Sequence, residues 1–195
     1  VYEQYDHMVR TNTMVRPGSD AAVVRIKGTN KAVAMTVDCN SRYCLLNPYE
    51  GARLAVAEAA RNLVCSGAAP IGLTDCLNFG NPERPDIMWQ FVMAIEGMKD
   101  TCERFQIPIV SGNVSFYNET NGLSIYPTPM LGMVGLIEDA ERTTTQWFKS
   151  EGDDIILFCF SREDLGGSEY LKVVQAREQG SPPYLNLDTE KALHD

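Results

Sequence analysis

The sequence predicts an α+β fold, and three observations carry that expectation. Apolar runs of strand length recur at residues 22–26, 32–37, 70–79, 107–110 and 130–137. Two longer segments, 48–66 and the stretch after Pro85, carry helix signals and fall between strands, so helices and sheet must pack on one another. A polar stretch, 141–152, then separates this body from another apolar run at 155–160. Residues 1–18 therefore read as a connecting segment, 19–140 as an α+β domain and 141–152 as a linker. Residues 153–195 read as the beginning of a following unit, since about 40 residues are too few to bury a core of their own.

Each element has a local reason. Residues 1–18 are mostly polar and end in a turn signal, Pro17-Gly18-Ser19-Asp20. Lys27-Gly28-Thr29-Asn30 joins the first two strands as a hairpin-like turn. Asp38-Cys39-Asn40-Ser41-Arg42 lies at a strand end, a usual address of ligand-binding groups; a solvated turn explains it equally well. The helix at 48–66 has Pro48 and Glu50 in its first turn and Gly67 as its stop, and its many alanines let it lie close to a sheet. In the strand at 70–79, Asp75 sits between Leu73 and Leu77. A carboxylate in an apolar run is costly to bury unless paired or liganded, so Asp75 is either a phosphate, Mg²⁺ or ribose contact or a residue on a solvent-facing edge.

After the loop Asn78-Phe79-Gly80-Asn81-Pro82, residues Ile87, Met88, Phe91, Val92, Ile95, Met98 and Cys102 keep helical spacing for about four turns and read as core. Asn121-Gly122 is a turn, and Gly132 and Gly135 in the strand at 130–137 point to close backbone contact. Trp147 and Phe148 suggest a helical turn in the linker. Ser168, after Leu165-Gly166-Gly167, can cap a helix running through Gln175, which Ser181-Pro182-Pro183 ends.

The richest chemistry lies at 109–120, IVSGNVSFYNET. The apolar strand at 107–110 breaks into Ser111-Gly112-Asn113, where a glycine allows close backbone approach to a ligand. Asn113, Ser115, Asn118 and Glu119 place amide, hydroxyl and carboxylate groups within a few residues. Such an inventory suits a site for phosphate and Mg²⁺; a polar loop between strands is the plainer reading.

Composition narrows the classes. A net charge of −9 argues against general nucleic-acid binding, which needs a basic face, but not against a nucleotide held by backbone N–H groups and Mg²⁺. No apolar run reaches the ~18 residues of a membrane span. The start, VYEQYDHMV, has neither a basic region nor an apolar one and no initiator methionine, so it reads as part of a longer polypeptide without a secretory signal. The six cysteines, at 39, 44, 65, 76, 102 and 159, form no CxxC pair. They read as reduced thiols serving as small hydrophobes, in keeping with a cytoplasmic protein.

The central motif, VSGNVSFYNET, together with PTPMLGMVGLIED (127–139), PGSDAAVVRIKGT (17–29), NPYEGARLAVAEAARNLVCSGAAPIGLTDCLNFGNPE (47–83) and LGGSEYL (165–171), resembles the small-type phosphoribosylformylglycinamidine synthases of purine biosynthesis. The likeness is to the second half of those enzymes and covers residues 1–187. Aminoimidazole ribonucleotide synthetase and selenophosphate synthetase are more distant alternatives; LNFGNPE and YNET favour the formylglycinamidine enzyme. The resemblance implies an N-terminal-type domain of the aminoimidazole ribonucleotide synthetase-like superfamily, whose mixed sheet pairs with a second copy into a barrel. It implies an ATP-dependent C–N ligase: ATP phosphorylates the amide oxygen of phosphoribosylformylglycinamide, and glutamine-derived ammonia displaces the phosphate. The implied partners are the first-half domain, a glutaminase subunit and a small accessory subunit.

Residue by residue, the resemblance makes Asp75 and Gly112 ATP contacts, Asn113 a Mg²⁺ ligand and Ser115 a substrate contact. The family's catalytic histidines lie in a His-Asn-His-Pro motif of the first half, where this chain has Asp38-Cys39-Asn40-Ser41-Arg42. The only histidines, His7 and His194, precede the fold and end the chain, so no catalytic residue is expected here. The implied contribution is ATP, Mg²⁺ and substrate contacts. A non-catalytic half that pairs with its partner domain, holding at most a structural nucleotide, is the alternative. Either way an apolar sheet face would be left open, and the chain alone is expected to form a homodimer.

Overall fold

The computed structural model describes residues 2–158 and 164–195. In chain order its strands are β1 (Thr13–Val15), β2 (Ala22–Arg25), β3 (Ala32–Asp38), β4 (Ala69–Asn78), β5 (Ile109–Ser115), β6 (Glu119–Thr120), β7 (Leu123–Ser124) and β8 (Thr128–Ile137). Its α-helices are α1 (Ser41–Leu46), α2 (Pro48–Cys65), α3 (Pro85–Phe105), α4 (Glu169–Gln175) and α5 (Leu187–His194). Six strands form one sheet in the order β1-β2-β3-β8-β4-β5, and β6 pairs with β7 as a small hairpin. All pairings are antiparallel except β4 with β5. Those two are parallel because α3 carries the chain back between them, the connection that parallel neighbours require.

Capping chemistry sets the helix ends. Asn40 accepts the N–H groups of Arg42 and Tyr43 to start α1, and Asn47 accepts that of Glu50 to start α2, with Pro48 in the first turn. The chain leaves α2 at Gly67, whose φ of +89° suits glycine. Alanine-rich α2 lies against β3, β8 and β4, and α3 packs beside it. On the sheet, alternate residues face these helices: Val23, Ala34, Leu73, Leu77, Leu131, Met133 and Ile137 are all 6% exposed or less. The opposite face is open. Met35, Val37 and Val110 stand on it 40%, 66% and 69% exposed.

Residues after 164 drape over the helices. Asp188 of α5 accepts from Arg104 at 2.6 Å and Glu190 from Arg61 at 2.5 Å, while the His194 ring meets Phe105 edge-on with centroids 4.9 Å apart. Among the described residues no helix is long and apolar enough to cross a membrane.

The elements differ from expectation at several points. Thr13–Val15 joins the sheet as β1 although its surroundings are polar. The 38–42 cluster runs straight into a helix rather than forming a separate turn, because Asn40 caps α1. Ser111-Gly112-Asn113 does not break the strand but continues it to Ser115. Trp147 and Phe148 form no helical turn and are 69% and 83% exposed. Residues 155–158 are not a strand, and the rest of that expected element, like Cys159, lies outside the described residues. Helix α5 was not anticipated, and it packs His194 rather than leaving it frayed. The described cysteines are all free thiols, with Cys44 and Cys102 buried but Cys65 exposed.

Candidate functional site

The parallel pair β4–β5 brings the singled-out residues together. Asp75 lies opposite Gly112, Cys76 opposite Asn113 and Asn78 opposite Ser115. Alternation then decides which way each side chain leaves the sheet. Asp75 shares the helix-covered face with Leu73 and Leu77 and is also in register with buried Leu131. Asn113 leaves the other face, the one on which the hydroxyls of Ser111 and Thr74 hydrogen-bond at 2.7 Å. Asp75 and Asn113 are thus neighbours in the sheet but project to opposite sides of it.

Asp75 reaches back toward Asn113 through the glycine between them. Its carboxylate lies across Gly112, where an alanine Cβ would come within 2.3 Å of Oδ1 and 2.5 Å of Cγ. There it lies near the backbone N–H of Asn113. Partial burial pushes the Asp75 carboxyl above its ordinary value, and the Asn113 N–H pulls it part of the way back. The glycine therefore has a reason within the protein, close passage of a carboxylate, besides the ligand approach read from the sequence. The Asn113 side chain is exposed and has no hydrogen-bond partner in the structure.

Other groups expected in the ligand inventory are consumed internally. The Asn118 amide nitrogen donates to the carbonyls of Phe79 and Ser115, each at 2.9 Å. Glu119 accepts from Ser124 at 2.8 Å and from the Asn81 N–H at 3.2 Å. An edge-to-face run of Phe79, Phe91 and Phe116, with centroids 5.3 and 5.0 Å apart, anchors the ends of both strands to α3. In the 38–42 cluster, Asp38 accepts from Thr36 and Asn62, and buried Arg42 donates to Gly167 O at 2.9 Å and to Glu169. Arg42 thereby holds the LGGSE stretch on α1, a role with no sequence signal because its partners lie over 120 residues away.

The donor set fits Mg²⁺ only in part. Among the described residues no three His, Cys, Asp or Glu side chains come together as a metal cage. What the strand pair offers is one free amide oxygen at Asn113, a hydroxyl at Ser115 and a carboxylate at Asp75. Mg²⁺ keeps most of its waters and is commonly held by one or two protein oxygens plus substrate phosphates, so Asn113 and Ser115 on the open face fit part of such a shell, while Asp75 stands on the other face.

Comparison with known proteins follows the same lines. Residues 18–137 match the family model "AIR synthase related protein, N-terminal domain". The whole chain is 58% identical to 27% of the phosphoribosylformylglycinamidine synthase subunit PurL of Caldanaerobacter subterraneus, so it spans about a quarter of the curated relatives it matches. Among solved structures, PurLQS from Thermotoga maritima superposes with a TM-score of 0.68 at 35% identity, over 73% of this chain and 24% of that one. T. maritima PurL complexed with ATP superposes with a TM-score of 0.65 at 33% identity, over 73% and 23%. A six-stranded mixed sheet backed by helices, the matched model over 18–137 and these relatives agree: the chain belongs to the AIR synthase related family, of which it carries the N-terminal domain.

Proposed function

We propose that this chain supplies one side of the active site of a phosphoribosylformylglycinamidine synthase, an ATP-dependent C–N ligase of purine biosynthesis. In this reading Asp75 and Gly112 meet ATP, Asn113 gives its amide oxygen to Mg²⁺, and Ser115 meets phosphoribosylformylglycinamide. Bound Mg²⁺ neutralises charge on the phosphoryl group being transferred. The chain's own residues position: the Asp75 carboxylate packs across Gly112, and the edge strand presents Asn113 and Ser115 outward. The proton-transfer groups and ammonia come from elsewhere, namely a first-half domain, a glutaminase subunit and a small accessory subunit, in the cytoplasm.

The observation that carries this reading is the free Asn113 amide. It sits exposed at the end of a parallel strand pair whose neighbouring polar groups are nearly all committed to one another. The open sheet face fits a partner sheet, so the isolated chain should self-associate and should not make the amidine. In the full-length synthase, Asn113→Leu and Asp75→Asn should each weaken ATP or Mg²⁺ use by roughly ten- to a hundredfold, the scale of one charged contact. An unchanged KM for ATP and an unchanged Mg²⁺ dependence in both variants would refute the assignment and favour a domain that only pairs.

A further inference from the structure

We propose that Asn118 is a positioning residue that orients the Ser115 hydroxyl as a hydrogen-bond donor toward an oxygen acceptor on the substrate. The inference rests on the reading of Ser115 as a substrate contact. Its own evidence is the geometry of one side chain. Asn118 Nδ2 lies 2.9 Å from Phe79 O, 2.9 Å from Ser115 O and 3.1 Å from Ser115 Oγ. Two carbonyl oxygens can only accept, so the amide nitrogen, not its oxygen, must face them. Its two N–H groups then serve three acceptors, and one of these is a lone pair of Ser115 Oγ. Ser115 Oγ donates to the Asn118 oxygen at 3.3 Å, long for an O–H···O bond and therefore weak. Ser115 is thus engaged as an acceptor from within, while its own proton is held only by the long bond to the Asn118 oxygen and can turn to a better-placed outside acceptor, such as an amide or phosphate oxygen.

The surrounding backbone holds Asn118 in place. Its N–H bonds Phe79 O at 3.2 Å, the N–H of Tyr117 bonds Gly80 O at 3.0 Å, and its carbonyl accepts from Ile125 at 3.0 Å. Tyr117 sits at φ +59°, a conformation that costs a bulky residue energy and persists only where its neighbours enforce it. Asn118 therefore braces the end of β5 against the end of β4 at the residue where the substrate is proposed to touch.

The test uses the full-length synthase with Ser115→Ala, Asn118→Ala and the double variant. Asn118→Ala should raise the KM for phosphoribosylformylglycinamide by about the same factor as Ser115→Ala, roughly tenfold for one lost hydrogen bond, with the KM for ATP unchanged. The double variant should be no worse than Ser115→Ala alone, because both changes remove one interaction. Ser115→Ala without effect would overturn the Ser115 reading and this inference with it. An effect of Ser115→Ala that Asn118→Ala does not share, or factors that multiply in the double variant, would overturn the inference and leave the Ser115 reading standing. If Asn118→Ala does not fold, Asn118→Ser, which keeps a short donor beside Phe79 O, is read in its place against the same outcomes. A parallel rise in both KM values with lost thermal stability would mark Asn118 as merely structural and overturn the inference.

Discussion

Gly112→Ala puts the Asp75–Gly112 contact to a direct test. The added methyl would lie 2.3, 2.5 and 2.7 Å from three atoms of the Asp75 carboxylate, closer than real contacts allow. The carboxylate is the free end of a short side chain, so it would swing away rather than force the strands apart. Swinging away gives up the attraction of the nearby Asn113 N–H, worth at most the ~1.5–3 kcal/mol of a desolvated charged hydrogen bond. Asp75 is only partly buried, and water recovers some of that loss, leaving an expected cost of about 1–2 kcal/mol. At about 2–4 °C per kcal/mol for a chain of this size, the melting temperature should fall by roughly 2–8 °C. The decisive assay is a double-mutant cycle by urea denaturation with Asp75→Ala. Without the carboxylate, Gly112→Ala should be neutral or stabilising by up to ~1 kcal/mol, because glycine weakens a strand interior. Equal costs in both backgrounds would refute the account: the glycine would then be needed for its backbone or for a ligand, not for Asp75.

Three further outcomes follow from the same structure. Asp75→Asn should hold or raise the stability of the chain at neutral pH while impairing ATP use in the full-length enzyme. The Asp75 carboxyl is raised by burial, so its protonated form is favoured in the fold, and wild-type stability should fall as pH rises from the ordinary carboxylate value through the raised one. Urea titrations across that interval should show the wild-type slope flattened in Asp75→Asn, and an unaltered slope would count against it. Arg42→Met, which keeps the buried stem but drops the contacts to Gly167 and Glu169, should speed limited proteolysis within residues 164–180 by about tenfold, as loss of ~1.4 kcal/mol of local closure requires. Phe79→Ala removes a fully buried ring from the Phe79–Phe91–Phe116 run and should cost about 3–5 kcal/mol by denaturation.

The sequence revealed most where one segment carries its own instruction. Helices α2 and α3 were legible because proline, capping residues and apolar spacing lie within each segment, and β2, β3, β4 and β8 because their apolar runs end in turns. Helix α1 was missed because six residues are too short to display a period; the signal that could have found it was Asn40 followed by a second cap at Asn47. In the sequence Ser-Gly-Asn imitates a loop and hides the end of β5, yet an edge strand needs bonds on one side only and tolerates polar residues through Ser115. Residue type alone places Asn118 and Glu119 among candidate ligands. Their partners, Phe79, Asn81 and Ser124, come from other segments, and only the fold shows that these groups are already engaged.

The opposite directions of Asp75 and Asn113 explain why such a site would be placed on an edge strand. In the middle of a sheet, two side chains on opposite faces are separated by the full thickness of the backbone layer and address unrelated surroundings. Among the described residues no further strand closes the edge at β5, so groups from both faces stay close to the same rim. Gly112 thins that rim further, because it lets the Asp75 carboxylate lie directly across the strand. On the proposed reading, the helix-side carboxylate and the open-side amide and hydroxyl could then meet one extended ligand along the edge. The apolar part of the open face, Met35, Val37 and Val110, would remain available to a partner sheet. A ligand confined to the open face would use Asn113 and Ser115 but never Asp75. Asp75→Asn with normal ATP use beside an impaired Asn113→Leu would therefore reassign the nucleotide to that face alone, and loss in both places it across the β5 edge.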